Sequence, residues 1–109
     1  MEVPKLTYFL AAAQTLNFRQ AAELCSVAQP VLSRQIAALE AELGVELFSR
    51  IKKRVALTEA GQEFVVYARQ ALDALQQGRQ AMAELHAGAR GLVRIGCIEG
   101  FGTERLPRL

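Results

Sequence analysis

Gln29, Ser33 and Arg34 fall within six consecutive positions, and all three side chains can bond to the edges of nucleobases. Arginine pairs bidentately with guanine, glutamine with adenine, and serine bonds to either. Pro30 and Val31 lie between them and belong to the same candidate contact surface. A second group follows at Lys52, Lys53 and Arg54, where three cations stand in a row. On a chain whose formal net charge is only +2, such a local cluster suits phosphate better than uniform basicity would. Arg19 is a further cation, placed to grip a flanking phosphate backbone. Ordinary alternatives stand beside each. Gln29 and Ser33 could serve local amides at a helix start. The cation cluster could be a soluble turn that discourages edge pairing. Arg50, just ahead of the cluster, could tie a hairpin to neighbouring helices.

Catalytic chemistry finds no comparable set. There is no nucleophile–base pair, no phosphate-binding glycine loop and no plausible metal set, so an enzyme is not expected and no cofactor is implied. Cys25 and Cys97 are far apart in sequence, and the single histidine, His86, is close to neither. Both cysteines read as small buried hydrophobes in a reducing cytosol. His86, near the end of a long helical pattern, reads as a partner for the helix dipole.

These groups need a scaffold, and 109 residues give room for one small domain plus a modest appendage. The absence of tryptophan leaves aliphatic side chains and alanine to fill the core. Met1 to Lys5 lack the basic stretch and apolar run of a signal peptide, and no run of about 18 apolar residues exists. A cytoplasmic location without membrane contact is expected.

Leu6, Phe9, Leu10 and Ala13 recur at helical spacing from about Pro4 to Thr15. Asn17, with Gln20 three residues on, predicts the box-like start of a short second helix ending near Cys25. Phe18, Ala21, Ala22 and Leu24 supply its apolar side. The connector Ser26 to Gln29 leads into a third helix entered at Pro30. There Leu32, Ile36, Leu39 and Leu43 form one stripe, and Gly44 is expected to close the helix. Pro30, Arg34, Ala37, Ala38 and Ala41 fall on the opposite face, with Ser33 to one side. That face is short, and neutral or cationic, so it can sink into a groove.

Leu47 to Ile51 and Arg54 to Leu57 predict a small hairpin with Lys52-Lys53 at its basic tip, without the usual Asn-Gly or Asp-Gly turn. Thr58 caps a long helix with Glu59 in its first turn, and the pattern holds to about Ala87. Roughly 30 residues would span about 45 Å at 1.5 Å per residue. Ala60, Phe64, Ala68, Ala71, Leu75, Met82 and Leu85 form its apolar stripe, with Gly78 lying on it. A small domain cannot bury so long a stripe. A second copy of the helix is the simplest cover, with Phe64, Ala68, Ala71, Leu75, Met82 and Leu85 as the dimer contacts. The alternative is packing on another part of its own protein. Beyond Gly88 a strand is expected over Val93 to Ile98, at the start of a second domain.

The fold expected is therefore mainly α: a winged helix-turn-helix of three helices plus a β-hairpin wing, followed by a long dimerisation helix. Its parts are residues 1–58, with the helix-turn-helix over about 18–37, then a linker helix over 59–88. Residues 89–109 would begin an effector-binding domain. A helix of about 10–12 Å diameter fits the major groove of duplex DNA and presents its N-terminal residues to the bases. Sequence-specific binding is favoured over architectural binding, because weak global charge does not suit indiscriminate affinity.

Residues 1–88 also resemble the DNA-binding half of a LysR-type transcriptional regulator. The matching text runs from Leu6-x-Tyr8-Phe9 through Asn17-Phe18-x-x-Ala21-Ala22 to Ala28-Gln29-Pro30-x-Leu32-Ser33-Arg34-Gln35-Ile36. It continues as Leu39-Glu40-x-Glu42-Leu43-Gly44-Val45-x-Leu47-Phe48-x-Arg50 and closes with Leu57-Thr58-x-Ala60-Gly61. The resemblance implies a regulator that binds partly palindromic promoter sites as a homodimer, often paired into tetramers. It also implies a small-molecule inducer acting through a C-terminal domain. Two positions depart from the family pattern. Ala28 replaces a common serine, removing a helix cap worth about 1 kcal/mol. Lys53 stands where many members carry arginine, which offers a less snug minor-groove contact.

Overall fold

A computed structural model of the chain describes residues 1–91. In order, these form α1 (Val3–Thr15), α2 (Phe18–Cys25), α3 (Gln29–Leu43), β1 (Phe48–Ile51), β2 (Arg54–Leu57) and α4 (Glu59–Gly91). The predicted order of elements is the observed one. The strand expected over Val93 to Ile98 lies outside the described residues.

Helix α1 carries Pro4 in its first turn, where the missing N–H costs nothing. It buries Leu6, Phe9 and Ala12. Ala13, expected on that face, is half-buried beside it. Leu16 ends the helix in a left-handed conformation, its N–H bonding to the Ala12 carbonyl at 2.8 Å. The start of α2 is half of the expected box: Asn17 Oδ1 accepts the Gln20 N–H at 2.9 Å. The reciprocal place is taken by Thr15, whose Oγ1 accepts the Asn17 N–H at 3.2 Å.

Phe18, Ala21 and Ala22 are buried, whereas Leu24 is 64% exposed. The reason is angular. Leu24 lies six residues from Phe18, about a third of a turn away from the buried stripe. Ser26 then turns the chain, with φ of 59°. Helix α3 begins at Gln29, one residue before the expected entry, because Pro30 is tolerated anywhere in a first turn. Its buried residues are Leu32, Ile36 and Leu39, while Leu43 is half-buried. Gly44 closes it at φ 74°, a left-handed value suited to glycine.

β1 and β2 pair antiparallel, from Phe48 opposite Leu57 to Ile51 opposite Arg54. Leu47, expected in the strand, precedes it and is fully buried. Lys52 and Lys53 make the two-residue turn, both with positive φ (54° and 65°), the signs that a type I′ hairpin turn demands. Thr58 starts α4 by accepting the Gly61 N–H on Oγ1 at 3.0 Å. Gly61 passes so close to Leu47 that any Cβ would strike the Leu47 carbonyl oxygen.

Four phenylalanines tie these elements together. Phe9 meets Phe48 at 5.6 Å and Phe64 at 5.4 Å between ring centroids, and Phe18 meets Phe48 edge-on at 5.3 Å. These are favourable tilted geometries. Phe64 therefore packs against the core, and Ala68 is buried there at 1% exposure. Both were expected to contact a second copy. Ala68 has no surface left to offer a partner, so its dimer assignment is corrected, whereas Phe64 is half-buried and keeps part of its ring open. The compact unit runs from Met1 to Asp73, and Leu72 packs half-buried against its core.

A second unit begins at Ala74. Within it Leu75, Met82 and Leu85 are 43%, 60% and 63% exposed, and a Cβ on Gly78 would meet open space.

Candidate nucleic-acid interface

Helix α2 lays two small buried residues, Ala21 and Ala22, inside the domain, a composition that permits close helix packing. The turn after it, bonded through Val27 N–H to the Ala22 carbonyl at 3.0 Å, delivers the chain directly into α3. The first turn of α3 has no side-chain cap, as Ala28 dictates. Instead the Ala28 carbonyl accepts the N–H groups of Val31 and Leu32 at 3.0 and 3.2 Å. Burial of Leu32, Ile36 and Leu39 then fixes which face of α3 turns outward.

Between the two helices and the wing is a shallow open hollow of about 350 Å³. Asn17, Arg19, Gln29, Ser33, Arg50 and Lys53 are among the residues that line it. Four of the residues singled out in the sequence, Arg19, Gln29, Ser33 and Lys53, thus come together from three separate elements. Arg34 is exposed on α3 beside Ser33, and Pro30 is exposed one position past Gln29. Val31 is half-buried, partly withdrawn toward the domain. Lys52 and Arg54 are exposed on the wing outside the hollow.

Arg50 takes the tying role open to it and also borders the hollow. Its guanidinium carbon sits 4.7 Å from the Phe18 ring centroid, tying β1 to α2, and its side chain also lines the hollow. The sequence signal for this was the pairing of an aromatic at the start of α2 with an arginine in a strand. Spacing alone could not bring them together.

The electrostatics are one-sided. Among the described residues the ion pairs are those of Glu42, with the Met1 ammonium at 3.1 Å and Lys5 at 3.3 Å. No carboxylate pairs with Arg19, Arg34, Arg50, Lys52, Lys53 or Arg54 there. Hydrogen bonds from the terminal ammonium, then from Lys5, hold the Glu42 carboxyl below the usual carboxylate range. Burial pushes the Cys25 thiol up, which favours its neutral form. No three His, Cys, Asp or Glu side chains gather as a metal site among the described residues.

The family model for the bacterial regulatory helix-turn-helix protein, lysR family, matches residues 4–62. The chain belongs to the LysR family. It is 41% identical over 107 residues to the HTH-type transcriptional regulator AlsR of Bacillus subtilis, covering 98% of this chain and 35% of AlsR. An uncharacterized HTH-type transcriptional regulator of Azotobacter vinelandii, from the ibpB-leuC intergenic region, is 36% identical over 107 residues. That match covers 98% of this chain and 74% of the relative. In the crystal structure of the BenM_DBD/catB site 1 DNA complex, the protein chain superposes with a TM-score of 0.77 at 38% identity. The match covers 81% of this chain and 98% of that one. The LysR-family chain thus spans about a third of the length of AlsR.

Within this LysR-family chain the matched region ends just inside α4, at Gln62, ahead of Phe64 and Ala68, which pack on the core. Of the remaining stripe residues, Ala71, Leu75, Met82 and Leu85 are exposed, as are Val66 and Tyr67, which the sequence reading did not select. No helix among the described residues is long and apolar enough to cross a membrane.

Proposed function

We propose that this chain reads duplex DNA in a sequence-specific manner, as the DNA-binding part of a LysR-type transcriptional regulator. The observation that carries this reading is the convergence of Gln29 and Ser33 from the start of α3, Arg19 from α2 and Lys53 from the wing on one hollow. No carboxylate among the described residues neutralises its cations. The start of α3 enters the major groove, where Gln29, Ser33 and Arg34 bond to base edges and Pro30 and Val31 make apolar contact. Arg19 and Arg50 hold the flanking phosphates, and Lys52, Lys53 and Arg54 hold phosphate or the adjoining minor groove. DNA complexes of related domains, such as that of BenM, support duplex DNA as the partner.

The regulator acts as a homodimer on partly palindromic sites. Phe64, Ala71, Leu75, Met82 and Leu85 on α4 are the contacts with the second copy, and the exposure of the last four supports this role. In the full-length regulator, which forms tetramers by pairing dimers, a small-molecule inducer acts through a C-terminal domain. The test is selection of bound duplexes from a random pool. A shared motif with two related halves at fixed spacing is expected, and recovery of unrelated sequences would refute the reading.

A further inference from the structure

Three consecutive residues between the reading helix and the wing, Glu46, Leu47 and Phe48, are held from two sides. From α3, one carboxylate oxygen of Glu40, Oε2, accepts the N–H of Leu47 at 2.8 Å and the N–H of Phe48 at 3.2 Å. From the start of α4, Thr58 Oγ1 donates to the Glu46 carbonyl at 2.6 Å, and the Thr58 N–H donates to the Leu47 carbonyl at 3.0 Å. Leu47 and Phe48 are buried, so their amides would lack water if Glu40 were withdrawn. A charged acceptor makes bonds roughly twice as strong as a neutral one. Phe48 is also the first residue of β1, and its ring packs on Phe9 and Phe18. The bonds thus sit where the chain leaves the core to build the hairpin that carries Lys52 and Lys53.

Glu40 does not line the hollow, and it stands well beyond Arg34 along α3. We propose that Glu40 is a positioning residue for DNA recognition, fixing the direction of the wing relative to α3 so that Lys53 and Arg34 engage one duplex together. The proposal rests on the DNA-reading function above. Its chemistry depends on reach and acceptor capacity. Glutamine keeps the length of the side chain and one oxygen able to accept both N–H groups. Aspartate keeps the charge but is one methylene shorter, which withdraws the acceptor.

The test compares Glu40→Gln and Glu40→Asp in the 109-residue chain, each alone and combined with Lys53→Ala. Affinity is measured on the duplex selected by the wild type, and amide exchange of Leu47, Phe48 and the hairpin is measured without DNA. Glu40→Gln should bind within about twofold of wild type. Glu40→Asp should bind about five- to tenfold more weakly, and Lys53→Ala should then add less than half of its wild-type effect. Leu47 and Phe48 amides should exchange faster in Glu40→Asp only. A purely structural role would lower the unfolding temperature and leave the Lys53 effect intact, which would overturn the proposal. Wild-type affinity in Glu40→Asp would overturn it as well. Should Glu40→Asp fail to fold, Glu40→Ala takes its place: weaker binding with a reduced Lys53 effect supports the proposal, and wild-type affinity or an intact Lys53 effect overturns it. Absence of any duplex preference in the wild type would instead refute the DNA-reading function. The exchange data would then still judge the hold of Glu40 on Leu47 and Phe48.

Discussion

The Arg50 guanidinium carbon lies 4.7 Å from the centroid of the Phe18 ring, joining the wing strand β1 to the first residue of α2. Phe18 is itself braced edge-on by Phe48 at 5.3 Å, so the ring face offered to Arg50 is fixed by the core. Arginine suits this place because its flat cation stacks on a ring while its N–H groups remain open to phosphate. Arg50→Lys should therefore weaken binding to all duplexes, by about 0.5–1 kcal/mol for the stacked contact. In a Phe18→Leu background the same change should cost clearly less. Equal losses in both backgrounds, measured by titration of a labelled duplex, would show that the ring does not matter.

Lys52 and Lys53 occupy left-handed backbone, which costs an ordinary residue roughly 1–2 kcal/mol. Asparagine followed by glycine fits such a turn far better. The double variant Lys52→Asn, Lys53→Gly should raise stability by about 1 kcal/mol in urea unfolding. It should also bind duplex DNA more weakly and with a shallower salt dependence. A variant that is more stable and binds equally well would remove the wing lysines from the interface.

Phe64 and Leu75 share one helical stripe but meet different surroundings. Phe64 packs on Phe9, whereas Leu75 is 43% exposed. Phe64→Ala should destabilise the domain by about 3–4 kcal/mol. Leu75→Asp should shift sedimentation from dimer to monomer at micromolar concentration and lower unfolding stability only through the lost dimer linkage, at concentrations where the wild type is dimeric. A monomeric wild type would remove the role given to Leu75.

Glu42 supplies a pH signature. Its folded pKa is lowered by bonds from the Met1 ammonium and Lys5. The stabilisation is therefore present above the ordinary carboxylate pKa, and it is lost as pH falls through the lowered folded value. Exposure and salt keep the effect small. Glu42→Gln should flatten this part of the acid limb of unfolding, more visibly at low ionic strength. An unchanged acid limb would deny the linkage.

Much of this was legible in the sequence because the signals were local. Asn17, Gly44 and Thr58 mark helix ends by short-range chemistry, and the Leu32, Ile36, Leu39 stripe fixes the outward face of α3. Long-range relations were not legible. Periodicity placed Phe64 and Ala68 on the same stripe as Leu75, but it could not say that the core takes up Ala68 and that Phe9 packs on Phe64. Leu24 looked apolar and therefore buried, yet its angle turns it outward. The Glu40 carboxylate gave no sequence signal, since a glutamate late in a helix is ordinarily solvated. The gathering of Arg19, Gln29, Ser33 and Lys53 needed three elements folded together, so types suggested the chemistry and only geometry joined it.

The most direct measurement is the affinity of wild type and Arg34→Ala for the duplex selected from a random pool, beside an unrelated duplex at the same salt concentration. Arg34→Ala should lose about 1–3 kcal/mol on the selected duplex, with relaxed base choice there, and almost nothing on the unrelated one. Equal affinity of the two proteins for the selected duplex would contradict the assignment of α3 as the reading helix.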